Sequence, residues 1–310
     1  MKIKGKNIGL IFILGLLFMH FYAPRFITEI QNPIIKTIRN LKGVKQNTEL
    51  TAVFPEGKLW TYKSEDHLKL NVFYNPTALD SVKGHIILVH GIRGDMNFLE
   101  PNIRYFSSLG YTTYTVDLRA HGKSAGQYCT FGVKEKQDLS NLIDYLVEVE
   151  HLDLENLGIW AQSLGGAVAL QSLAVDKRIQ WGIVESTFSE FNTVVNDYFQ
   201  LYLGFSNVNF SNYLVKRAGS ISSFNPDEAK PIKACRKITQ PVLMIHGTED
   251  DRINISNGKR NFQSLASKNK SFFEVKGANH VNVWQVGNAH LKNEINVFLK
   301  MVGEEITEKQ

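Results

Sequence analysis

The feature that most constrains the fold is a series of short apolar segments that alternate with stretches of helical spacing. Because parallel strands need long crossover connections, this alternation predicts one α/β domain with a mostly parallel sheet. The segment LKLNVFY, 68–74, alternates apolar and polar residues and predicts an antiparallel strand at the sheet edge. Further strands are predicted at 85–90, 111–116, 157–160, 183–184, 241–245 and 271–275, and helices at 137–148 and 294–300.

The sequence around Ser163 places a strand and a helix almost directly against each other. Residues 160–170 read WAQSLGGAVAL, in which an apolar segment leads into a run of small residues. Residues 161–165, AQSLG, resemble the G-x-S-x-G nucleophile elbow of α/β-hydrolases, with alanine at the first glycine position. In that motif the serine lies on a strained strand-to-helix turn, and small neighbours let the two elements approach. The alternative is an ordinary strand-to-helix turn that contains a polar residue.

The resemblance also identifies an acid. In the family the acid follows a strand in a G-x-x-D pattern, and the stretch HGTED, 246–250, follows the apolar segment PVLMI. The resemblance therefore implies that Asp250 is the acid of a catalytic triad. Asp251, one residue out of register, and Glu185, after another predicted strand, are the alternatives.

A histidine is implied in the same way. The stretch GANH, 277–280, follows the segment SFFEV and precedes the last predicted helix, where the family carries its histidine. This implies His280, with His290 as the alternative. The chain order serine, aspartate, histidine is also the order of α/β-hydrolases. The implied catalytic residues are Ser163, Asp250 and His280.

Two backbone N–H groups are implied as donors to a developing oxyanion. The stretch HGIRG, 90–94, follows a predicted strand and resembles the loop that shapes the oxyanion hole in this family. The donors would be the N–H groups of Ile92 and Leu164, which are fixed before the reaction begins. The alternative for this stretch is a simple glycine turn. The stretch DLRAHGKS, 117–124, also resembles the family, in which it is structural.

The resemblance covers roughly residues 50–302. It implies the α/β-hydrolase fold, with a mostly parallel central sheet flanked by helices and a helical cap insertion at about 187–230. Within the superfamily the chain is similar to serine-aminopeptidase-like and Bem46-like membrane-anchored hydrolases. The expected organisation is a membrane anchor or signal segment at 1–24, a juxtamembrane linker at 25–49, the hydrolase domain at 50–302 and a tail at 303–310.

The positive charge of the chain is concentrated near its start. The formal net charge is +5, but residues 1–45 hold eight Lys or Arg and one acid, whereas the remainder holds 27 basic and 29 acidic residues. A nucleic-acid partner is therefore not expected for the body of the chain. The apolar run 8–23 follows three lysines and predicts an uncleaved single-pass membrane anchor rather than a removed signal peptide. The side of the membrane stays open, and cleavage of the segment would imply export.

The sequence indicates no cofactor and no metal site. The two cysteines, Cys129 and Cys235, have no metal-ligand spacing; they form either one disulfide or two buried thiols. The H-E-x-x-H pattern of zinc hydrolases is absent from the sequence. The implied serine mechanism needs neither kind of group.

The expected function is hydrolysis of carboxylic esters of the lipid or acyl-ester type through an acyl-enzyme. A cap rich in aromatic residues suits such substrates, although aromatic residues at helical spacing are equally consistent with ordinary packing. Alternatives are a peptidase or thioesterase with the same triad, and a non-catalytic binding protein with a hydrolase fold. The aromatic residues between 187 and 226 are Phe188, Phe191, Tyr198, Phe199, Tyr202, Phe205, Phe210, Tyr213 and Phe224.

Overall fold

The central sheet agrees with the predicted class. The strands are β1 (Lys58–Lys63), β2 (Lys69–Asn75), β3 (Gly84–Val89), β4 (Tyr111–Val116), β5 (Leu157–Gln162), β6 (Trp181–Glu185), β7 (Val242–Gly247) and β8 (Lys270–Val275). The computed structural model describes residues 5–41, 48–149, 151–152 and 156–308, and in these residues the strands form one sheet in the order β1-β2-β4-β3-β5-β6-β7-β8. β2 pairs antiparallel with β1 and β4, and the other neighbouring strands are parallel. The mostly parallel sheet is therefore confirmed.

Helices cover both faces of this sheet. In chain order they are α1 (Gly5–Phe21), α2 (Arg25–Thr28), α3 (Pro33–Leu41), α4 (Leu50–Val53), α5 (Glu100–Ser108), α6 (Glu135–Glu148), α7 (Leu164–Val175), α8 (Phe191–Leu203), α9 (Val208–Ser222), α10 (Pro231–Cys235), α11 (Ser256–Ser264) and α12 (Val283–Glu308). Two 3-10 turns lie at Met96–Leu99 and Pro226–Glu228. α12 bends at Asn288 and continues to Glu308, so residues 303–308 of the expected tail are helical.

The pleat of the buried strands divides the core into two layers. In β3, Ile86 and Leu88 pack in one cluster with side chains of α5 and α12, whereas Ile87 and Val89 pack in the other with α6 and α7. Successive side chains of a strand point to opposite faces, so a strand covered on both sides is apolar throughout. This explains why the central strands were visible in the sequence.

The edge of the sheet that holds β1 and β2 differs from the prediction. Segment 68–74 was expected at the sheet edge, but β2 lies between β1 and β4. The edge is β1, whose sequence KLWTYK is largely exposed and carries no apolar run. Because an edge strand in water needs few apolar residues, its sequence does not distinguish it from a loop.

The N-terminal segment differs from its prediction more strongly than the sheet does. Over residues 5–41, 48–149, 151–152 and 156–308 we find no helix long and apolar enough to cross a membrane. α1 has 17 residues and ends at Phe21, ahead of a turn that contains Pro24. The predicted membrane-spanning anchor is therefore not supported, nor is the membrane as a partner. Residues 1–4 and 42–47, within the expected anchor and linker, lie outside the described residues.

The segment that follows α1 packs on the domain instead of forming a free linker. Thr28 and Ile30 are buried. Gln31 donates a hydrogen bond to the carbonyl of Gly122 (3.2 Å), and Gln127 donates to the carboxylate of Glu29 (3.0 Å). α1 and α2 both contact α9, a helix of the expected cap insertion. Residues 24–31 are therefore part of the folded body.

Candidate active site

Ser163 occupies a strained turn at the end of β5. Its backbone lies at φ 56° and ψ −118°, directly before the first residue of α7. The turn is held by a hydrogen bond from the Ser163 N–H to the carbonyl of Glu185 (2.8 Å) and by one from the Thr187 hydroxyl to the Ser163 carbonyl (2.8 Å). A side chain at Gly165 would come within 2.5 Å of the Val89 carbonyl oxygen, so this position requires glycine. The structure thus places Ser163 on a sharp turn of the kind that the motif implied.

The side chains of Ser163, His280 and Asp250 lie in contact. His280 Nε2 is 3.0 Å from Ser163 Oγ, and His280 Nδ1 is 2.8 Å from Asp250 Oδ2. An ionised carboxylate only accepts hydrogen bonds, so Nδ1 carries the ring proton and Nε2 presents its lone pair to the serine hydroxyl. Ser163, Asp250 and His280 follow β5, β7 and β8, respectively. Along the chain, Asp250 lies 87 positions after Ser163, and His280 lies 30 positions after Asp250.

Groups other than His280 also contact the carboxylate of Asp250. Its Oδ1 accepts hydrogen bonds from the N–H groups of Arg252 (3.0 Å) and Ile253 (2.9 Å). His246 Nε2 lies 3.3 Å from Oδ2 and 2.8 Å from the Ile253 carbonyl oxygen. Burial by itself would raise the pKa of Asp250, but the hydrogen bonds from His246, His280 and Ile253 outweigh it and hold the pKa well below its usual value. The carboxylate is therefore ionised at neutral pH.

The residues that the sequence offered as alternatives do not take part in this series of contacts. Asp251 is exposed, and His290 is exposed on α12. Glu185 is fully buried, and its carboxylate accepts hydrogen bonds from Trp284 Nε1 (2.8 Å) and Gln162 Nε2 (3.0 Å) rather than from a histidine. The contact of His246 with Asp250 was not expected from the sequence.

The loop after β3 lies beside the serine. A side chain at Gly91 would come within 3.2 Å of Ser163 Cβ. Ile92 and Leu164, whose N–H groups were expected to face an oxyanion, both line a cavity that includes Ser163. Arg93 has φ 59°, and its guanidinium donates a hydrogen bond to the carbonyl of Phe26 (3.0 Å). The loop is thereby linked to the N-terminal segment.

The cavity at Ser163 has a volume of about 470 Å³ and is lined mostly by apolar side chains. One wall comes from α8 and α9, another from residues 18–27, and the floor includes Phe131 and Ile253. Among the described residues, six of the nine aromatic residues noted in the cap line it: Phe188, Phe191, Tyr198, Phe199, Tyr202 and Phe210. In the part of the chain that the structure describes, no group of three or more His, Cys, Asp or Glu side chains could hold a metal ion. Cys129 and Cys235 are free and buried.

Burial raises the pKa of Glu185 to about 7, although the hydrogen bonds from Trp284 and Gln162 oppose this shift and Asp250 adds to it. The ordinary value is 4.5, so the stability that the neutral form contributes is complete below pH 4.5 and is lost as the pH rises through 7. In a Glu185→Gln variant the side chain at position 185 is neutral at every pH. We expect its free energy of unfolding, relative to wild type, to rise by about 2–3 kcal/mol between about pH 5 and about pH 8.

Denaturant unfolding of both proteins at the two pH values measures this difference. The exposed Glu249→Gln is the matched control, since its carboxylate is solvated in both the folded and the unfolded chain. A Glu185→Gln effect that is the same at both pH values would show that the buried carboxyl does not titrate in this range.

Known proteins resemble this chain in both sequence and structure. Residues 84–227 match the family described as the alpha/beta hydrolase fold. Protein bem46 of Schizosaccharomyces pombe is 26% identical over 168 residues, which cover 54% of this chain and 51% of that protein. The esterase Pf2001 of Pyrococcus furiosus is 22% identical with a TM-score of 0.67, covering 83% of this chain and 96% of the esterase.

A second solved structure extends the comparison. The acylaminoacyl peptidase of Pyrococcus horikoshii is 20% identical with a TM-score of 0.63, covering 85% of this chain and 43% of the peptidase. At this level of identity the two archaeal structures show the fold, and the family match and the bem46 similarity agree with it. The chain has the α/β-hydrolase fold, its residues 84–227 match the family described by that fold, and it is similar to protein bem46 over 54% of its length.

Proposed function

We propose that this protein is a serine hydrolase that cleaves carboxylic esters with an apolar acyl group. The observation that carries the proposal is the contact series at the cavity: Ser163 Oγ lies 3.0 Å from His280 Nε2, and His280 Nδ1 lies 2.8 Å from Asp250 Oδ2. A hydroxyl, a base and an orienting carboxylate in this arrangement perform acyl transfer. The superfamily and the esterase and peptidase neighbours support a hydrolase in general.

The reaction takes place in two halves. In the first, His280 Nε2 accepts the Ser163 proton as Oγ attacks the ester carbonyl, and the tetrahedral oxyanion is stabilised by the N–H groups of Ile92 and Leu164. His280 then gives the proton to the leaving alcohol, which leaves an acyl group on Ser163. In the second half, His280 takes a proton from water, the hydroxide attacks the acyl-enzyme, and collapse of the intermediate returns the proton to Ser163.

The carboxylate of Asp250 serves both halves. It keeps the ring proton of His280 on Nδ1, so the lone pair of Nε2 stays directed at Ser163. Its negative charge also stabilises the imidazolium that forms in each half. The lowered pKa of Asp250 keeps it charged throughout the neutral range.

The cavity supports an apolar acyl group. Its lining of Phe, Leu, Ile and Val side chains buries hydrocarbon favourably, and its volume of about 470 Å³ is that of a small-molecule site. In this cavity the charged group among the described lining residues is Arg93, which donates to the Phe26 carbonyl. A substrate with a cationic acyl group would lose its hydration here with little compensation.

A fluorophosphonate probe tests the proposal. The purified protein should be labelled, mass spectrometry should place the adduct on Ser163, and labelling should block hydrolysis of a nitrophenyl ester. Ser163→Ala should not be labelled. A folded wild-type protein that is neither labelled nor active on esters would contradict the proposal, and cleavage of blocked peptides without ester hydrolysis would replace it with a peptidase.

A further inference from the structure

We propose that residues 18–27 form the distal wall of the acyl-binding site and determine the length of acyl chain that it accepts. This inference rests on the proposed function, since it concerns the substrate of the same serine. It assigns a binding role to a segment whose sequence predicted a membrane anchor and a linker.

The first observation is the composition of the cavity wall. Five residues from the end of α1, the following turn and α2 line the cavity together with Ser163, namely Phe18, Met19, Ala23, Phe26 and Ile27. All five are apolar or small. The same cavity is also lined by side chains of α8 and α9, including Val194, Val195 and Leu214. The N-terminal segment and the cap helices therefore share in forming the cavity.

The second observation is how firmly the segment is attached. The hydroxyl of Ser222 donates to the Thr28 hydroxyl (2.7 Å), and the Cys129 N–H donates to the Thr28 carbonyl (2.8 Å). Both Thr28 and Ser222 are buried. At the other end of the segment, His20 Nδ1 lies 2.6 Å from the Tyr213 hydroxyl. These contacts fix the segment at Thr28, directly after the last lining residue, and at His20, directly after Met19.

The third observation concerns the order of the wall residues along the cavity. The guanidinium of Arg93, next to the expected oxyanion donor Ile92, binds the carbonyl of Phe26, and this bond joins Phe26 to the loop beside Ser163. Met19 belongs to the end of α1, and its neighbour His20 contacts α9. On this proposal, Phe26 is the wall residue nearer the reacting carbonyl and Met19 the one farther along the cavity. Side-chain size at Met19 should limit long chains more than short ones.

The chemistry of the wall identifies the ligand as a linear or branched hydrocarbon chain. Burial of each methylene in such a lining is favourable, and the selectivity between chains that differ by one methylene is typically tenfold or more. The five wall residues offer no charge to a polar chain, and the carbonyl of Phe26 is already bound by Arg93. Esters of medium-length to long fatty acids fit this site.

The experiment compares nitrophenyl acetate, butyrate, octanoate and dodecanoate on three full-length proteins. For wild type, kcat/KM should rise with chain length beyond acetate. In Met19→Trp, the added volume occupies the distal part of the cavity, so the ratio of kcat/KM for dodecanoate to that for acetate should fall about tenfold or more, mainly through KM. In Met19→Ala the same ratio should rise or stay at least as high as in wild type.

The matched control is Leu17→Trp, which places the same ring on an exposed position of the same helix outside the cavity lining. Its chain-length profile should follow wild type. If Met19→Trp and Leu17→Trp have the same profile in an active protein, or if wild type prefers acetate, the inference is overturned while the serine mechanism stands. If wild type neither hydrolyses any ester nor reacts with the fluorophosphonate, the proposed function itself fails.

Discussion

The kcat of a Ser163→Ala variant on an ester should be about 10⁶-fold lower than that of wild type, and the kcat of His280→Ala should be lower by about the same factor. The double variant should be no worse than either single one. The reason is geometric: His280 Nε2 lies 3.0 Å from Ser163 Oγ, and neither group can act without the other. Residues that work as one unit do not contribute additively.

The comparison requires variants that fold. Ser186→Ala is the matched control, since Ser186 is fully buried and also has a positive φ, of 48°, one residue after β6. It should keep its activity within about twofold, because the Ser186 hydroxyl has no hydrogen-bond partner among the described residues and therefore holds none of the reacting groups. Single-turnover kinetics on purified protein measure all four variants. Losses that multiply in the double variant would mean that the serine and the histidine act independently.

An Asp250→Asn variant should lose about 10⁴-fold in kcat. The Oδ1 atom of Asp250 accepts from the N–H groups of Arg252 and Ile253, so the asparagine carbonyl oxygen will take that place. Its amide NH₂ then faces His280 Nδ1, which must become an acceptor. The ring proton moves to Nε2, and the histidine presents an N–H instead of a lone pair to Ser163.

Asp251→Asn makes the same chemical change one residue later, at an exposed position. It should leave kcat within about threefold of wild type, because surface substitutions act weakly. Steady-state kinetics of the two variants on one nitrophenyl ester are sufficient. A large loss in Asp251→Asn with little loss in Asp250→Asn would transfer the role of the acid to Asp251.

The residues of the candidate site could be found in the sequence because each follows an apolar strand. Parallel strands bring their carboxyl ends to one edge of the sheet, so a serine, an aspartate and a histidine after β5, β7 and β8 were expected to meet. The apolar composition of the strands comes from burial on both faces, which is a strong sequence signal. In the structure the three side chains lie within hydrogen-bonding distance in the order Ser163, His280, Asp250.

The N-terminal segment could not be predicted in the same way. An apolar helix whose end lines a cavity, as Phe18 and Met19 of α1 do, has the same composition as one that lies in lipid, and the sequence does not show which surface it meets. The signals that pointed to the structure were weak: a run slightly short for a bilayer and a proline at position 24. The bond from Arg93 to the Phe26 carbonyl joins two residues 67 positions apart, and no local pattern contains it.

The contact between Thr28 and Ser222 has a consequence for how the chain acquires its structure during synthesis. The two residues are 194 positions apart, so residues 18–30 leave the ribosome long before their partners exist. Domains form from the N-terminus as the chain emerges, but here residues 18–30 cannot complete their docking until Ser222 has been made. The nascent chain therefore carries an uncovered apolar segment until that point, and this segment is where a chaperone should bind.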